Sequence, residues 1–176
     1  MVSPKCEEII ISWCTSIDMA NRAASLFIDE VDLSYISHSE IMYGRAATAA
    51  TWAPGFADEI RAAARAASDS ATRRLATATS GDDLLGFAIL ELGLRQPIRF
   101  ATLEDFFIAR AGRGCGVGSK LLDWISDQCR AFGVGRLFLE SGIRNEAAHA
   151  FFRNKGFEVA SVVMLRDLMA IEDSPS

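Results

Sequence analysis

Residues Leu103–Leu122, LEDFFIARAGRGCGVGSKLL, decide the fold of this 176-residue chain. Their first third is rich in aromatic and β-branched residues and reads as a strand. Glycines 112, 114, 116 and 118 follow as a loop, which opens into a helix expected over Val117–Ala131. Glycine lets a ligand approach the backbone closely. The first amides of a helix lack internal partners and carry the positive end of its dipole, so this junction is a natural seat for phosphate.

Working outward, residues 7–14 are isoleucine-rich and read as a first strand, and Asn21–Val31 has helical spacing. A second helix is expected over Tyr35–Ala50, ended by Pro54-Gly55, and an alanine-rich helix from Asp58 to about Ser70. RRLATATS, the turn at Gly81-Asp82-Asp83 and LLGFAILEL read as a β-hairpin, and Arg99–Arg110 as the strand entering the glycine loop. After the loop's helix come a strand RLFLES, a helix from Asn145 ended by Gly156, and a last long strand FEVASVVMLRDL. The expectation is one α/β (α+β) domain spanning residues 1–176.

Composition narrows the function. Half the residues are apolar and no run approaches the roughly 20 needed to span a bilayer. The N-terminal apolar run EEIIISWC is led by two glutamates, so neither a signal peptide nor a membrane span is expected, and the cytoplasm is the default location. Cys6, Cys14, Cys115 and Cys129 lack CxxC spacing, which argues against zinc and for buried thiols. Cys115, in the glycine loop near a helix N-terminus, is the one thiol whose pKa that position could lower. The net charge of −5 falls entirely on residues 1–40, which suits a cationic substrate, while no basic stripe suggests nucleic acid.

Register separates the phosphate-loop readings. A dinucleotide fingerprint fails because Val117 and Ser119 stand where GxGxxG needs its third glycine. A Walker loop fails because Ser119-Lys120 lacks the preceding glycine and following hydroxyl. What fits is Arg113-x-x-Gly116-x-Gly118, joined downstream by Asn145-x-x-Ala148-x-x-Phe151-Phe152-x-x-x-Gly156-Phe157.

With these two motifs the chain resembles the GNAT superfamily of N-acetyltransferases, from about Leu84 to Val163. LEDFF with RGxGxGS is locally similar to the spermidine/spermine N-acetyltransferases. The resemblance implies a mixed, mostly antiparallel central sheet flanked by helices, with acetyl-CoA as co-substrate. It implies that Arg113, Gly114, Cys115, Gly116, Val117, Gly118 and Ser119 hold the pyrophosphate, with Lys120 just inside the helix. Backbone groups near Phe107, Ile108 and Ala109 would pair with the pantetheine arm as an added strand. Asn145 would contact the cofactor, cap its helix, or both.

At Phe152 the family commonly has a tyrosine that protonates the departing thiolate, and here the hydroxyl is missing. Ala148, Phe151, Phe152 and Lys155 share one helical face, so a core stripe also accounts for Phe152. Tyr35 and Tyr43 are the chain's two phenols and the candidates to replace that acid. Glu104 and Asp105 are adjacent on a strand and are expected on opposite faces. The resemblance favours Glu104 as base, with Glu91 as the second candidate. His38 and His149 read as surface or satisfied histidines. The leading expectation is direct acetyl transfer to a primary amine of a small cationic molecule, with a homodimer compatible. The alternative is an acyl-CoA-binding module acting as sensor or partner subunit.

Overall fold

The computed structural model describes residues 8–95 and 97–168. Five strands form the central sheet in the order β1-β4-β5-β6-β7: β1 (Ile10–Cys14), β4 (Arg73–Ser80), β5 (Asp83–Gly93), β6 (Phe100–Ile108) and β7 (Arg136–Leu139). All neighbours are antiparallel except β6 and β7, which run parallel. The helices are α1 (Ile17–Glu30), α2 (His38–Met42), α3 (Phe56–Ser68), α4 (Val117–Ala131) and α5 (Glu146–Asn154). A small hairpin, β2 (Ala46–Thr48) with β3 (Thr51–Trp52), stands apart from the main sheet. The expected mixed, mostly antiparallel sheet between helices is therefore present.

Strand alternation gives the sheet two apolar faces. Leu75, Phe87, Ile89 and Phe107 pack with Ala20, Ala23, Ala24 and Phe27 of α1 and with Ile60, Ala63, Ala64 and Ala67 of α3. The alanines at these contacts leave room for α1 and α3 to approach each other closely. On the other face Ala76, Ala88, Leu90, Ala101 and Leu103 meet Leu121, Leu122, Ile125 and Cys129 of α4 and Phe152 of α5. Ser16 starts α1 by accepting the Met19 amide on its hydroxyl (3.3 Å), so that helix begins earlier than its apolar spacing suggests.

Strand β6 carries the irregularity that matters. Ile89 faces Asp105 and Leu90 faces Leu103, which leaves Glu104 opposite no residue of β5. This bulge breaks the simple alternation. Ala101 and Leu103 pack toward α4, whereas Asp105 and Phe107 lie on the side of α1 and α3. Strand β7 pairs with β6 only from Phe100 to Leu103, so beyond Leu103 that edge of β6 has no strand partner among the described residues.

Two expected elements are corrected. The helix expected over Tyr35–Ala50 is a 3₁₀ turn at Leu33–Tyr35, the five-residue α2 and then the β2–β3 hairpin. Gly44 with φ +79° ends the helical turn, and the pairing of Ala46 with Trp52 takes the following backbone into the hairpin. The last strand expected over FEVASVVMLRDL is likewise absent. Phe157–Leu168 pairs with no described strand, and Val159, Val162 and Met164 are exposed. Local β propensity does not by itself make a strand.

The turn after β7 is held against the segment before α2. A side-chain carbon at Gly142 would collide with the carbonyl oxygens of Ser34 and Ile36. Arg144 donates to the Leu33 carbonyl at 3.0 Å and to the Ala49 carbonyl. Overpacking of this kind typically costs about 1–3 kcal/mol. Gly142→Ala is expected to lower the urea midpoint by a corresponding amount at unchanged m-value; an unaltered midpoint would contradict the close approach.

Candidate active site

Two halves meet where β6 loses its partner. In the first, Gly114 (φ +77°) and Gly116 (φ +76°) hold left-handed backbone, with nothing within 4 Å of where a Cβ would stand. Gly116 is the N-cap of α4, so the amides of Val117, Gly118 and Ser119 follow at once without intrahelical acceptors. Gly118 sits beside β6 and α5, its missing Cβ 3.5 Å from Ile108 and from Phe151. Arg113 folds back: its Nε donates to the Ile108 carbonyl (3.2 Å) and its guanidinium lies 6.0 Å from the Phe107 ring centre.

The open edge of β6 leads from this loop into the cleft. Ala109 donates its N–H to Leu85 on β5 (2.9 Å), so by alternation the Phe107 backbone also faces β5. Phe106 and Ile108 point the other way, as their bonds to Tyr35 and Arg113 require. The edge available to an added strand is therefore carried by Phe106 and Ile108. Phe107 and Ala109 are buried beneath it.

The second half is a cleft of about 430 Å³, counting its open mouth. Its walls come from the segment before α2 and α2 itself (Tyr35, Ser37, Glu40), from β6 (Leu103, Glu104, Phe106), and from the β7–α5 turn and α5. Asn145 lines it and also caps α5, accepting the Ala148 amide at 3.2 Å. Phe152 lines it from within an aromatic cluster with Phe106, Phe151 and Phe157. Glu104 reaches the cleft, with its Oε2 accepting from Arg73 Nε at 2.6 Å. Burial raises its pKa, and the bond to Arg73 opposes that rise. Glu91, Tyr43 and His149 do not line the cleft. His38 pairs with Glu140 (2.9 Å), whose other oxygen accepts from Ser37 (3.2 Å). Cys14 and Cys129 are buried free thiols, whereas Cys115 is disulfide-bonded rather than free; Cys6 lies outside the described residues.

Sequence reasoning missed a buried network behind this cleft. The Tyr35 hydroxyl donates to Asp105 (3.2 Å) and accepts the Phe106 amide (3.3 Å). Arg45 donates to both Asp105 oxygens at 3.2 and 3.3 Å, and its Nη1 lies 3.6 Å from Glu40 Oε1. Asp105 and Glu40 are 2% and 4% exposed, so one guanidinium serves two buried carboxyl groups. Asp105 takes nearly all of it. Among the described residues Glu40 Oε2 has no hydrogen-bond partner, and neither does the Oγ of Ser141, another residue lining the cleft. Burial, then the nearby charges of Asp105 and Glu140, push Glu40 up to about 7 against the pull of Arg45. Tyr35 is driven well above 10 by burial and by the same two carboxyls, Asp105 and Glu40. Burial opposes the charge of Arg45, but Asp105 and Glu40 more than restore it.

Because folding raises the Glu40 pKa, the folded chain binds that proton more tightly than the unfolded chain. The contribution of Glu40 to stability is therefore greatest below about pH 4.5 and declines until about pH 7. The decline amounts to about 3 kcal/mol. Urea denaturation at pH 5 and pH 8 should show this slope in the native chain and lose it in Glu40→Gln; equal slopes in both would contradict the buried carboxyl.

The geometry can hold a phosphate-bearing ligand at the glycine loop, an extended arm along β6 and a cationic group in the cleft. None of the described helices is long and apolar enough to cross a membrane, and no cluster among the described residues is fit to hold a metal ion. Residues 39–157 match the model of the Acetyltransferase (GNAT) family. An IAA acetyltransferase of Azospirillum brasilense is 33% identical over 58 residues, a match spanning 33% of this chain and 38% of that protein. Among solved structures, a transcriptional regulator from Bacillus halodurans C-125 superposes with a TM-score of 0.68 at 16% identity, covering 92% of this chain and all of that one. The aminoglycoside N-acetyltransferase AAC(6')-Iy in complex with CoA gives 0.65 at 14% identity, covering 94% and 99%, a likeness of fold. With two-thirds of its length inside the family model and the strand–loop–helix in place, the chain belongs to the GNAT acetyltransferase family.

Proposed function

We propose that this chain is an acetyl-CoA-dependent N-acetyltransferase acting on a primary amine of a small cationic molecule. The observation that carries the reading is the continuity of three features: the left-handed glycine loop, the unpaired β6 edge, and the acid-lined cleft at its end.

The residues present fit coenzyme A. The loop from Arg113 to Ser119 offers backbone amides and a helix N-terminus to a pyrophosphate, in space that a Cβ at Gly114 or Gly116 would narrow. On this edge the Phe106 amide is taken by Tyr35 and the Ile108 carbonyl by Arg113, so an amide-bearing arm would pair with the Phe106 carbonyl and the Ile108 amide, with Phe107 and Ala109 packed beneath them. Asn145 combines a capping role with a place in the cleft wall. When bound, acetyl-CoA supplies an acetyl group activated as a thioester, from which an amide C–N bond forms as the C–S bond breaks.

The chain's own groups manage the protons. Phe152 brings no hydroxyl to the cleft, but Tyr35 does, beside the Phe106 amide and protonated throughout the neutral range. Tyr35, whose proton rests on Asp105 and must turn from it to reach the thiolate, is the candidate acid in place of the missing tyrosine. The amine's proton has two candidate acceptors in the cleft, Glu104 at the bulge and Glu40 behind it. The absence of a hydroxyl at Phe152 also favours a second reading, a coenzyme A-binding module without turnover.

Thiol release from acetyl-CoA, followed across polyamines, aminoglycosides, amino acids and peptides, separates the two readings. Turnover with at least one amine is expected; tight binding with none would favour the module. Gly116→Glu places an anion and a strained backbone at the helix N-terminus, and should weaken coenzyme A binding about tenfold or more. Unchanged affinity would refute the loop's role. Tyr35→Phe should lower kcat by roughly 10²–10⁴-fold if that hydroxyl is the acid. A kcat within twofold of the native value would exclude it.

A further inference from the structure

One buried carboxyl group is left without a role by the fold. Glu40 sits on α2 at 4% exposure, and its Oε2 has no hydrogen-bond partner among the described residues. The nearest cation, Arg45, is committed to Asp105 by three hydrogen bonds and reaches Glu40 only at 3.6 Å, through the other oxygen. A second polar atom unpartnered among the described residues, Ser141 Oγ, belongs to another residue lining the same cleft. Burying a polar atom without a partner is costly unless a ligand completes it. Both residues line one cleft, but the two oxygens lie just beneath its surface, so a group that displaces that surface can reach them; a primary ammonium, with three N–H donors, is the donor-rich group that would satisfy both.

We propose that Glu40 and Ser141 form the subsite for the acceptor's ammonium group, and that Glu40 rather than Glu104 takes its proton. The proposal rests on the acetyl-transfer reading and names the acceptor end of that cleft. The ammonium donates to Glu40 Oε2 and Ser141 Oγ. One N–H proton passes to Glu40, and its bonding pair stays on nitrogen as the lone pair that attacks. Glu40 afterwards returns the proton to solvent through the cleft mouth.

The surroundings suit that task. Facing Glu40 are Arg45 from beyond α2, Asp105 and Glu104 from β6, Tyr35 from the 3₁₀ turn, and Glu140 after β7. These leave Glu40 poised near neutrality, where a proton acceptor works best. Glu104 differs in having Arg73 bound directly at 2.6 Å, so its carboxylate already has a cation. Ser141 adds a selective element, because its hydroxyl can accept from an ammonium without adding charge.

The test uses the full chain with acetyl-CoA and the amine panel, with coenzyme A affinity as the control for folding. For the best amine, native kcat/KM should rise with pH through a limb near 7. Glu40→Gln should cut kcat/KM by about 100-fold or more and lose that limb, while coenzyme A affinity stays within twofold. Glu40→Asp should recover part of the rate with the limb displaced. Glu104→Gln should keep the limb whatever its effect on rate. The proposal is overturned if Glu40→Gln keeps rate and limb, or if the limb disappears in Glu104→Gln instead. Should the native chain bind coenzyme A and acetylate no amine, the transfer reading fails by itself. The subsite is then judged by calorimetric binding of spermidine to the coenzyme-loaded chain. Affinity present in the native chain and lost in Glu40→Gln supports it; equal or absent binding in both refutes it.

Discussion

Among the described residues, strand β6 has a paired strand on both sides only as far as Leu103. The candidate cleft follows from that limit. Beyond it, Phe106 and Ile108 present backbone groups to a gap, and an unpaired edge in a protein interior must be covered or used. The chain covers it partly with its own groups, the Tyr35 hydroxyl at one end and the Arg113 side chain at the other. Between them lies a length of strand whose natural complement is another extended segment. The bulge at Glu104 sits where pairing with β7 stops, and it turns Asp105 away from the side that Ala101 and Leu103 face. One inserted residue thus converts a flat strand into a floor with a carboxylate on either flank.

The second constraint is the charge beneath that floor. Asp105 is 2% exposed, and a carboxylate at that depth needs donors. Arg45 and Tyr35 supply them, and both come from the segment between α1 and β2, which has little regular structure of its own. The ion pair therefore anchors a loop-like stretch over the sheet, giving the cleft a wall that propensity alone would not build. Gly142 completes the arrangement by letting the β7–α5 turn press on Ser34 and Ile36 from the other side.

How much of this could be read from the sequence depends on whether a feature is local. The strand, glycine loop and α4 are contiguous, and left-handed turns leave glycine at fixed places, so Gly114 and Gly116 were legible. The motif ending at Phe157 was legible for the same reason, because α5 carries its aromatic residues at helical spacing. The segment 33–52 was not. It consists of a 3₁₀ turn, five helical residues and a two-strand hairpin, none long enough for a period to emerge, and Arg45 finds Asp105 across 60 residues. The strand expected after Phe157 failed differently. Its apolar, β-branched character is real, but pairing is a property of two segments, and among the described residues no edge meets it. The opposite-face reading of Glu104 and Asp105 assumed an unbroken strand; register with β5, which only the sheet reveals, shows the bulge.

The Glu40 carboxyl makes the balance between stability and activity explicit. Asp105 alone would neutralise Arg45, so a second buried acid contributes nothing that the ion pair requires. A glutamine there would fill the same volume with no charge to desolvate, and replacing buried ionisable groups by neutral ones of similar size often stabilises a fold. If Glu40 acted only in folding, the chain would carry it at a loss above neutral pH. Its cost is explained when the missing partner is an incoming cation: the unpartnered Oε2 is then a site held in readiness, and binding the ammonium removes the penalty that folding imposed. Selectivity follows from the same physics. A neutral acceptor of equal shape would leave Glu40 unpaired and would gain none of that relief, so a cleft used in the proposed way would favour amines that arrive protonated over those that arrive neutral.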